Sequence, residues 1–325
     1  MLSPARARAA RPGWRRAAVI RPSAAGTLVA GALAAAPAAL AAQTLDDGFL
    51  LSRGVVRVTA DYGSERWDEY WEGTLLRSNG NIGTLRTTST TLAAGYGLTR
   101  KLSLFASMPF VRTNASEGVL KGQSGRQDVT VAAKYRPFGL TLAGRTRVGF
   151  LALAGVGAPT SDYTPDFLPM SIGLGARRAL ARGIVHAQDR NGLFVEGQAG
   201  YTWRSTVHLD RPAYYTDGRL VLSDEVAMPD VADFTAAAGY QDARWCLPVM
   251  LVTQRTRGGG DIRRQDMPFV SNRMDFTRLQ ARVMFTPPQA RGGLQLQAGA
   301  MRTLSGRNVG RATAVSAGAT VQFRL

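Results

Sequence analysis

Val315-Ser316-Ala317-Gly318-Ala319-Thr320-Val321-Gln322-Phe323-Arg324-Leu325, the last residues of the chain, decide its fold class. Val315, Ala317, Ala319, Val321, Phe323 and Leu325 alternate with Ser316, Thr320, Gln322 and Arg324. Side chains along a strand point to opposite faces in turn, so this period marks a strand with one apolar and one polar face. The pattern recurs upstream. Val56, Val58, Ala60 and Tyr62 alternate with Arg57, Thr59 and Asp61, and Val129, Val131, Ala133 and Tyr135 with Asp128, Thr130, Lys134 and Arg136. Twelve such runs are predicted, near 54–62, 84–98, 101–112, 126–137, 144–157, 170–180, 192–204, 231–241, 244–255, 273–286, 293–303 and 311–325. The sixth is short, and the ninth carries Pro248, a poor residue inside a paired strand.

The links between runs choose the architecture. Those at 97–100, 138–145, 242–243 and 287–292 are tight, whereas those at 63–83, 113–125, 159–169, 205–230 and 256–272 are long. Short turns at one end and long loops at the other describe an up-and-down transmembrane β-barrel of the outer membrane, with periplasmic turns and extracellular loops. Two links break the parity, a longish one at 181–192 and a short one at 305–310. Two aromatic girdles are expected at the lipid interfaces. Tyr96, Tyr135, Tyr240, Trp245, Phe285 and Phe323 fall at the turn end, and Tyr62, Phe110, Trp203 and Phe234 at the loop end. The fold class is therefore all-β, an antiparallel barrel of about twelve strands (ten to fourteen). A secreted β-sandwich would alternate as well, but loop parity and girdles favour the barrel.

The N-terminal region reads separately. Arg6, Arg8, Arg11, Arg15, Arg16 and Arg21 precede an Ala-rich apolar stretch and then Ala39-Leu40-Ala41. This is the pattern of a signal peptide at 1–41, expected to be cleaved after Ala41, with 42–53 a periplasmic segment and 54–325 the barrel. An inward plug is an alternative for Gln43–Arg53 and for the 205–230 loop, whose scattered Asp and Arg favour a solvated surface loop instead. The whole chain of 325 residues has a net charge of +17; without the leader, 34 basic and 23 acidic side chains leave +11. Export makes a nucleic-acid partner improbable, and a single Cys excludes a disulfide framework. No mature segment supplies eighteen consecutive apolar residues for a helical span.

At this point a family comes into view. Tyr96-Gly-Leu-Thr-Arg-Lys-Leu-Ser-Leu104, Met108-Pro-Phe-Val111, Gly125-Arg-Gln-Asp-Val-Thr-Val131 and Lys134-Tyr-Arg136 resemble the outer-membrane proteins grouped under the meta-pathway of phenol degradation. The resemblance is best over 84–137, with echoes at Ser171-Ile-Gly-Leu-Gly175 and Phe194–Tyr201. These are strand-and-turn signatures, so they report fold better than substrate. They imply passage of small molecules, aromatic ones among them, through the outer membrane of a Gram-negative bacterium. The terminal Val321–Leu325 resembles the signal read by the barrel-assembly machinery, although such strands more often end on an aromatic residue.

Parity assigns Arg57, Asp61, Lys134, Arg136, Glu196, Arg204, Arg278 and Arg282 to the channel lining, together with Arg145, Arg147, Arg177, Arg324, Asp128 and Asp233. That face is basic, and rings of Arg and Lys in a pore select anions. Other arginines, such as Arg86 and Arg302, are placed at the outer rim, against lipopolysaccharide phosphates. The expected partners are thus a small solute, membrane lipid and lipopolysaccharide. No cofactor, metal or catalytic residue is expected. Acyl-transfer chemistry needs a nucleophile beside a base. The two histidines are read as separated by a full strand, His186 in a periplasmic link and His208 in an extracellular loop. A lipid-hydrolysing barrel and a non-conducting binding barrel stand as alternatives to a passive channel.

Overall fold

A computed structural model describes residues 47–325 except 120, 217, 264–267 and 291–292; the expected signal peptide and residues 42–46 lie outside the described residues. Among the described residues, twelve antiparallel strands close into a barrel. They are β1 (Val55–Trp67), β2 (Leu85–Gly97), β3 (Leu102–Ala115), β4 (Asp128–Leu142), β5 (Thr146–Pro159) and β6 (Arg178–Gln188). Then come β7 (Leu193–Arg204), β8 (Asp230–Gln241), β9 (Trp245–Arg257), β10 (Asp275–Phe285), β11 (Leu294–Arg307) and β12 (Thr313–Arg324). Each strand pairs with its sequence neighbours, and β1 pairs with β12 from Val55↔Arg324 to Arg66↔Thr313, which closes the cylinder.

Connections at 98–101, 143–145, 189–192, 242–244 and 286–293 make one end, and those at 68–84, 116–127, 160–177, 205–229, 258–274 and 308–312 the other. In barrels of the outer membrane the short turns face the periplasm. The sixth strand is a correction. It runs over Arg178–Gln188 rather than 170–180, so the link after it is a tight turn and the parity exception there disappears. The reason is physical. Residues 170–177 include Gly175 in the left-handed region (φ 71°), which interrupts an extended run, and Met170, Ile172 and Ala176 are buried under the loops. In 178–188 the lipid face is mostly small (Ala179, Ala181, Gly183) while Leu180 and Ile184 point inward, which blurs the alternation. His186 accordingly stands in β6, not in a link.

Exposure is inverted relative to a water-soluble protein. Val58, Leu92, Leu104, Val131, Val195, Leu251 and Val321 project outward and are exposed, while Arg57, Lys134, Glu196, Gln198 and Gln295 are buried inside. An apolar exterior around a polar interior is stable only in lipid. The aromatic residues follow the same faces. By register, Tyr62, Phe110, Trp203 and Phe234 point outward toward the loop end, and Tyr96, Tyr135, Tyr240, Trp245, Phe285 and Phe323 outward toward the turn end.

The loop end carries a small core of its own. Val207, Leu209, Tyr214, Val226 and Met228 pack against Phe269 and Val270 of the 258–274 loop and Ala176 of the 160–177 loop. Two short hairpins, 207–208 with 225–226 and 214–216 with 219–221, stiffen the longest loop, and Tyr214 stacks on Phe269 with ring centroids 5.1 Å apart. Asp261 receives two hydrogen bonds from Arg307 and one from Asn308 Nδ2 at 2.8 Å, tying the 258–274 loop to β11. The Arg307 bonds hold the Asp261 carboxyl below its ordinary value.

Candidate functional site

Alternation builds the lumen. Every second residue of the twelve strands points inward, and those positions hold most of the charged side chains that could not face lipid. At the turn end the wall is lined a second time by residues 47–53, the described part of the segment expected either in the periplasm or as an inward plug. Lys134, fully buried, donates from Nζ to the Asp47 carbonyl at 2.6 Å and to Asp47 Oδ1 at 3.1 Å, with the Phe49 carbonyl at 3.4 Å. Gly48 N–H donates to Glu196 Oε2 at 2.7 Å, and Leu51 N–H to Ser103 Oγ at 3.0 Å. Leu51 packs with Val55 and Phe105, and the Phe49 ring meets His186 edge-on, centroids 4.5 Å apart.

Glu196 is the hub of this wall. His186 Nδ1 lies 2.8 Å from its Oε2, and Gln198 Nε2 donates to its Oε1 at 2.6 Å. Gln198 Oε1 in turn accepts from Arg182 Nη1 at 3.3 Å, and Arg182 Nη2 reaches Asp233 at 2.9 Å. A polar ladder therefore climbs from the inner segment through β7 and β6 to the loop-end half. On the opposite wall Arg57 is buried and donates to Gln295 Oε1 at 2.6 Å, and Asp61 accepts from Gln297 Nε2 at 2.8 Å. Cys246 is an inward-facing thiol packed with Phe194 and Met284.

Among the described residues, two cavities stand out along the lumen. The one in the loop-end half, about 430 Å³, is lined by Asp128, Arg178, Arg182, Arg204, Asp233 and Arg282, with Val231, Met250, Val252 and Phe276 as apolar wall. Two of its four arginines are neutralised: Arg178 bonds Asp128 at 2.8 Å and Arg182 bonds Asp233 at 2.9 Å. Tyr163, from the loop above, donates to Asp128 at 2.6 Å, and burial together with that carboxylate pushes its phenol well above its ordinary value. Arg204 and Arg282 form no ion pair among the described residues, so the cavity keeps a positive excess. The second cavity, about 290 Å³, is lined by Arg57, Asp61, Phe105 and Gln297, and also by Arg282. Arg282 thus stands where the two spaces meet.

The residues expected from sequence therefore separate into groups. Arg204 and Arg282 share the upper cavity, with Arg57 and Asp61 beside the lower one. Lys134 and Glu196 grip the inner segment. Arg278 lies over the Phe276 ring at 4.2 Å. Arg136 sits apart, in a bulge at the turn-end rim with its guanidinium near the Arg100 carbonyl. With β6 at 178–188, Arg178, Arg182 and His186 face the lumen, whereas Arg177, expected there, is exposed in the 160–177 loop; the even spacing over 178–186 is the signal in the sequence. His208 lies in the longest loop, where its hydrogen bond with Asp224 raises it above its ordinary value.

No family model matches the chain, and no curated protein matches it. Solved structures do. An outer membrane channel from Pseudomonas putida F1 superimposes with a TM-score of 0.67 at 17% identity, covering 86% of this chain and 98% of that one. The translocator domain of the autotransporter NalP from Neisseria meningitidis matches at TM-score 0.42 and 13% identity, covering 86% and 91%. The CymD monoaromatic hydrocarbon channel matches at TM-score 0.38 and 13% identity, covering 85% and 90%. The first of these shares the fold of this chain.

Proposed function

We propose that this barrel is a passive outer-membrane channel for small solutes, anionic and aromatic ones included, and belongs with the meta-pathway proteins its sequence resembles. One observation carries the reading: a closed barrel holds two lumenal cavities that meet at Arg282, and the larger keeps two arginines free of ion pairs beside an apolar wall. Guanidinium groups suit carboxylates through paired N–H donors, and Val231, Met250, Val252 and Phe276 suit an apolar body. A small organic acid, such as an aromatic carboxylate, satisfies both. The fold it shares with the Pseudomonas putida outer membrane channel supports this reading. Both histidines are engaged by carboxylates rather than by a hydroxyl or thiol, which favours transport over hydrolysis.

In planar bilayers the purified protein should give discrete conductance steps, with a reversal potential in a salt gradient that reports anion preference. Arg204→Gln combined with Arg282→Gln should lower the anion-to-cation permeability ratio severalfold. Absence of any conductance would sink the channel. Cation preference indifferent to these substitutions would sink its anionic version.

A further inference from the structure

The outer surface of the barrel carries an arrangement that transport does not use. Backbone register fixes it. Tyr62 of β1, Thr90 of β2 and Phe110 of β3 stand abreast on the lipid face, with Arg126 of the short 124–126 strand paired to Phe110. One step toward the loops on the same face stand Ser64, Thr88 and Arg112, and one step further Arg66, Arg86 and Asn114. On the other flank Thr313 of β12 separates Arg66 from Arg302 of β11. Five exposed arginines therefore follow one another around neighbouring strands. At the strand spacing of about 4.8 Å, the row spans ~24 Å of the circumference.

This row is unfavourable as it stands. Arg66 and Arg86 are direct cross-strand partners, a position where like charges destabilise a sheet. Arg66, Arg86, Arg112 and Arg126 form no ion pair with any carboxylate among the described residues, because the neighbouring acids Asp61 and Glu65 face the lumen. The level matters as well. Tyr62 and Phe110 mark the edge of the hydrocarbon zone, so the arginines one and two steps above them sit at headgroup depth in the outer leaflet. A groove of about 510 Å³ opens at this level, lined by Tyr62, Thr88, Thr90, Phe110, Arg112 and Arg126.

We propose that this patch is a binding site for the phosphates of lipid A, with an acyl chain lying along Tyr62 and Phe110. Guanidinium binds phosphate through paired, charge-assisted donors, and an intervening phosphate turns the Arg66–Arg86 repulsion into a shared contact. The width of the row exceeds what one phosphodiester occupies and fits a headgroup carrying two phosphates on a disaccharide. The test titrates the purified full-length barrel in detergent with bisphosphorylated lipid A, its monophosphorylated form, phosphatidylglycerol and inorganic phosphate, reading bound species by native mass spectrometry. Bisphosphorylated lipid A should bind best. Arg66→Gln with Arg86→Gln should weaken it about tenfold or more, which is about 1.4 kcal/mol. Arg190→Gln, at a turn on the opposite rim, should leave binding unchanged. Arg112→Gln with Arg126→Gln provides a second pair should the first fail to assemble, as judged by heat-modifiable gel mobility. Undiminished lipid A binding by an assembled double variant would overturn the proposal, as would equal binding of phosphatidylglycerol or inorganic phosphate at these arginines.

Discussion

Lys134 shows what one inward position decides. Its ammonium is fully buried and survives there because the Asp47 carboxylate and two backbone carbonyls surround it. Replacing it with Met removes the grip on residues 47–49, and breaking a buried pair costs about 3 kcal/mol. Lys134→Met should therefore release the inner segment and raise single-channel conductance, measured in bilayers beside the parent; unchanged conductance would mean that Phe49 and Leu51 hold the segment unaided. Parity alone assigned Lys134 and Glu196 to the interior, since a charge cannot sit on the lipid face. Their partner was harder to read. Asp47-Gly48-Phe49-Leu50-Leu51 has no period to follow, so an inward plug was one expectation for this segment but its contacts with Lys134 and Glu196 carry no sequence signal.

At the scale of elements, strands were legible where large apolar residues face lipid and polar ones face the lumen, as in β1, β4 and β12. β6 is not legible in this way, because its lipid face is built mostly from Ala and Gly and its inner face mixes Leu180 and Ile184 with Arg182 and His186. The loops escaped the sequence reading in a different way. The 205–229 loop looks like a solvated surface segment, with its scattered Asp and Arg, yet its apolar residues close on Phe269 from another loop. Such contacts lie far apart in sequence and carry no periodicity. Phe269→Ala should remove the stacking partner of Tyr214 and cost about 3 kcal/mol locally. Limited proteolysis should then cut within 205–229 or 258–274 at much lower protease concentration, while the barrel keeps its heat-modifiable mobility. Loss of that mobility would show that the loop core supports the strands as well.

For the molecule as a whole, the near-zero mean hydropathy of −0.09 describes no real surface, because it averages a lipid face with a lumen face. The positive balance is divided the same way, between a lumen ladder partly neutralised by Asp128 and Asp233 and an outer row without acids. Closure through β1 and β12 has a further effect, on time rather than on shape. Thr59 and Thr320 share a hydrogen bond across 261 positions of sequence, so closure joins two strands that lie far apart along the chain. Contacts of such separation form slowly, and until then both terminal strands are open edges that lipid cannot satisfy. Removing Val321–Leu325 should therefore abolish the heat-modifiable form altogether, because β1 would lose the partners of Val55 to Val58. A truncated chain that still migrates as a compact species would refute this. Insertion is then all or none: the unclosed sheet has no resting state of its own in the bilayer, and whatever shields its two edges during that interval sets the rate at which the protein appears in the membrane.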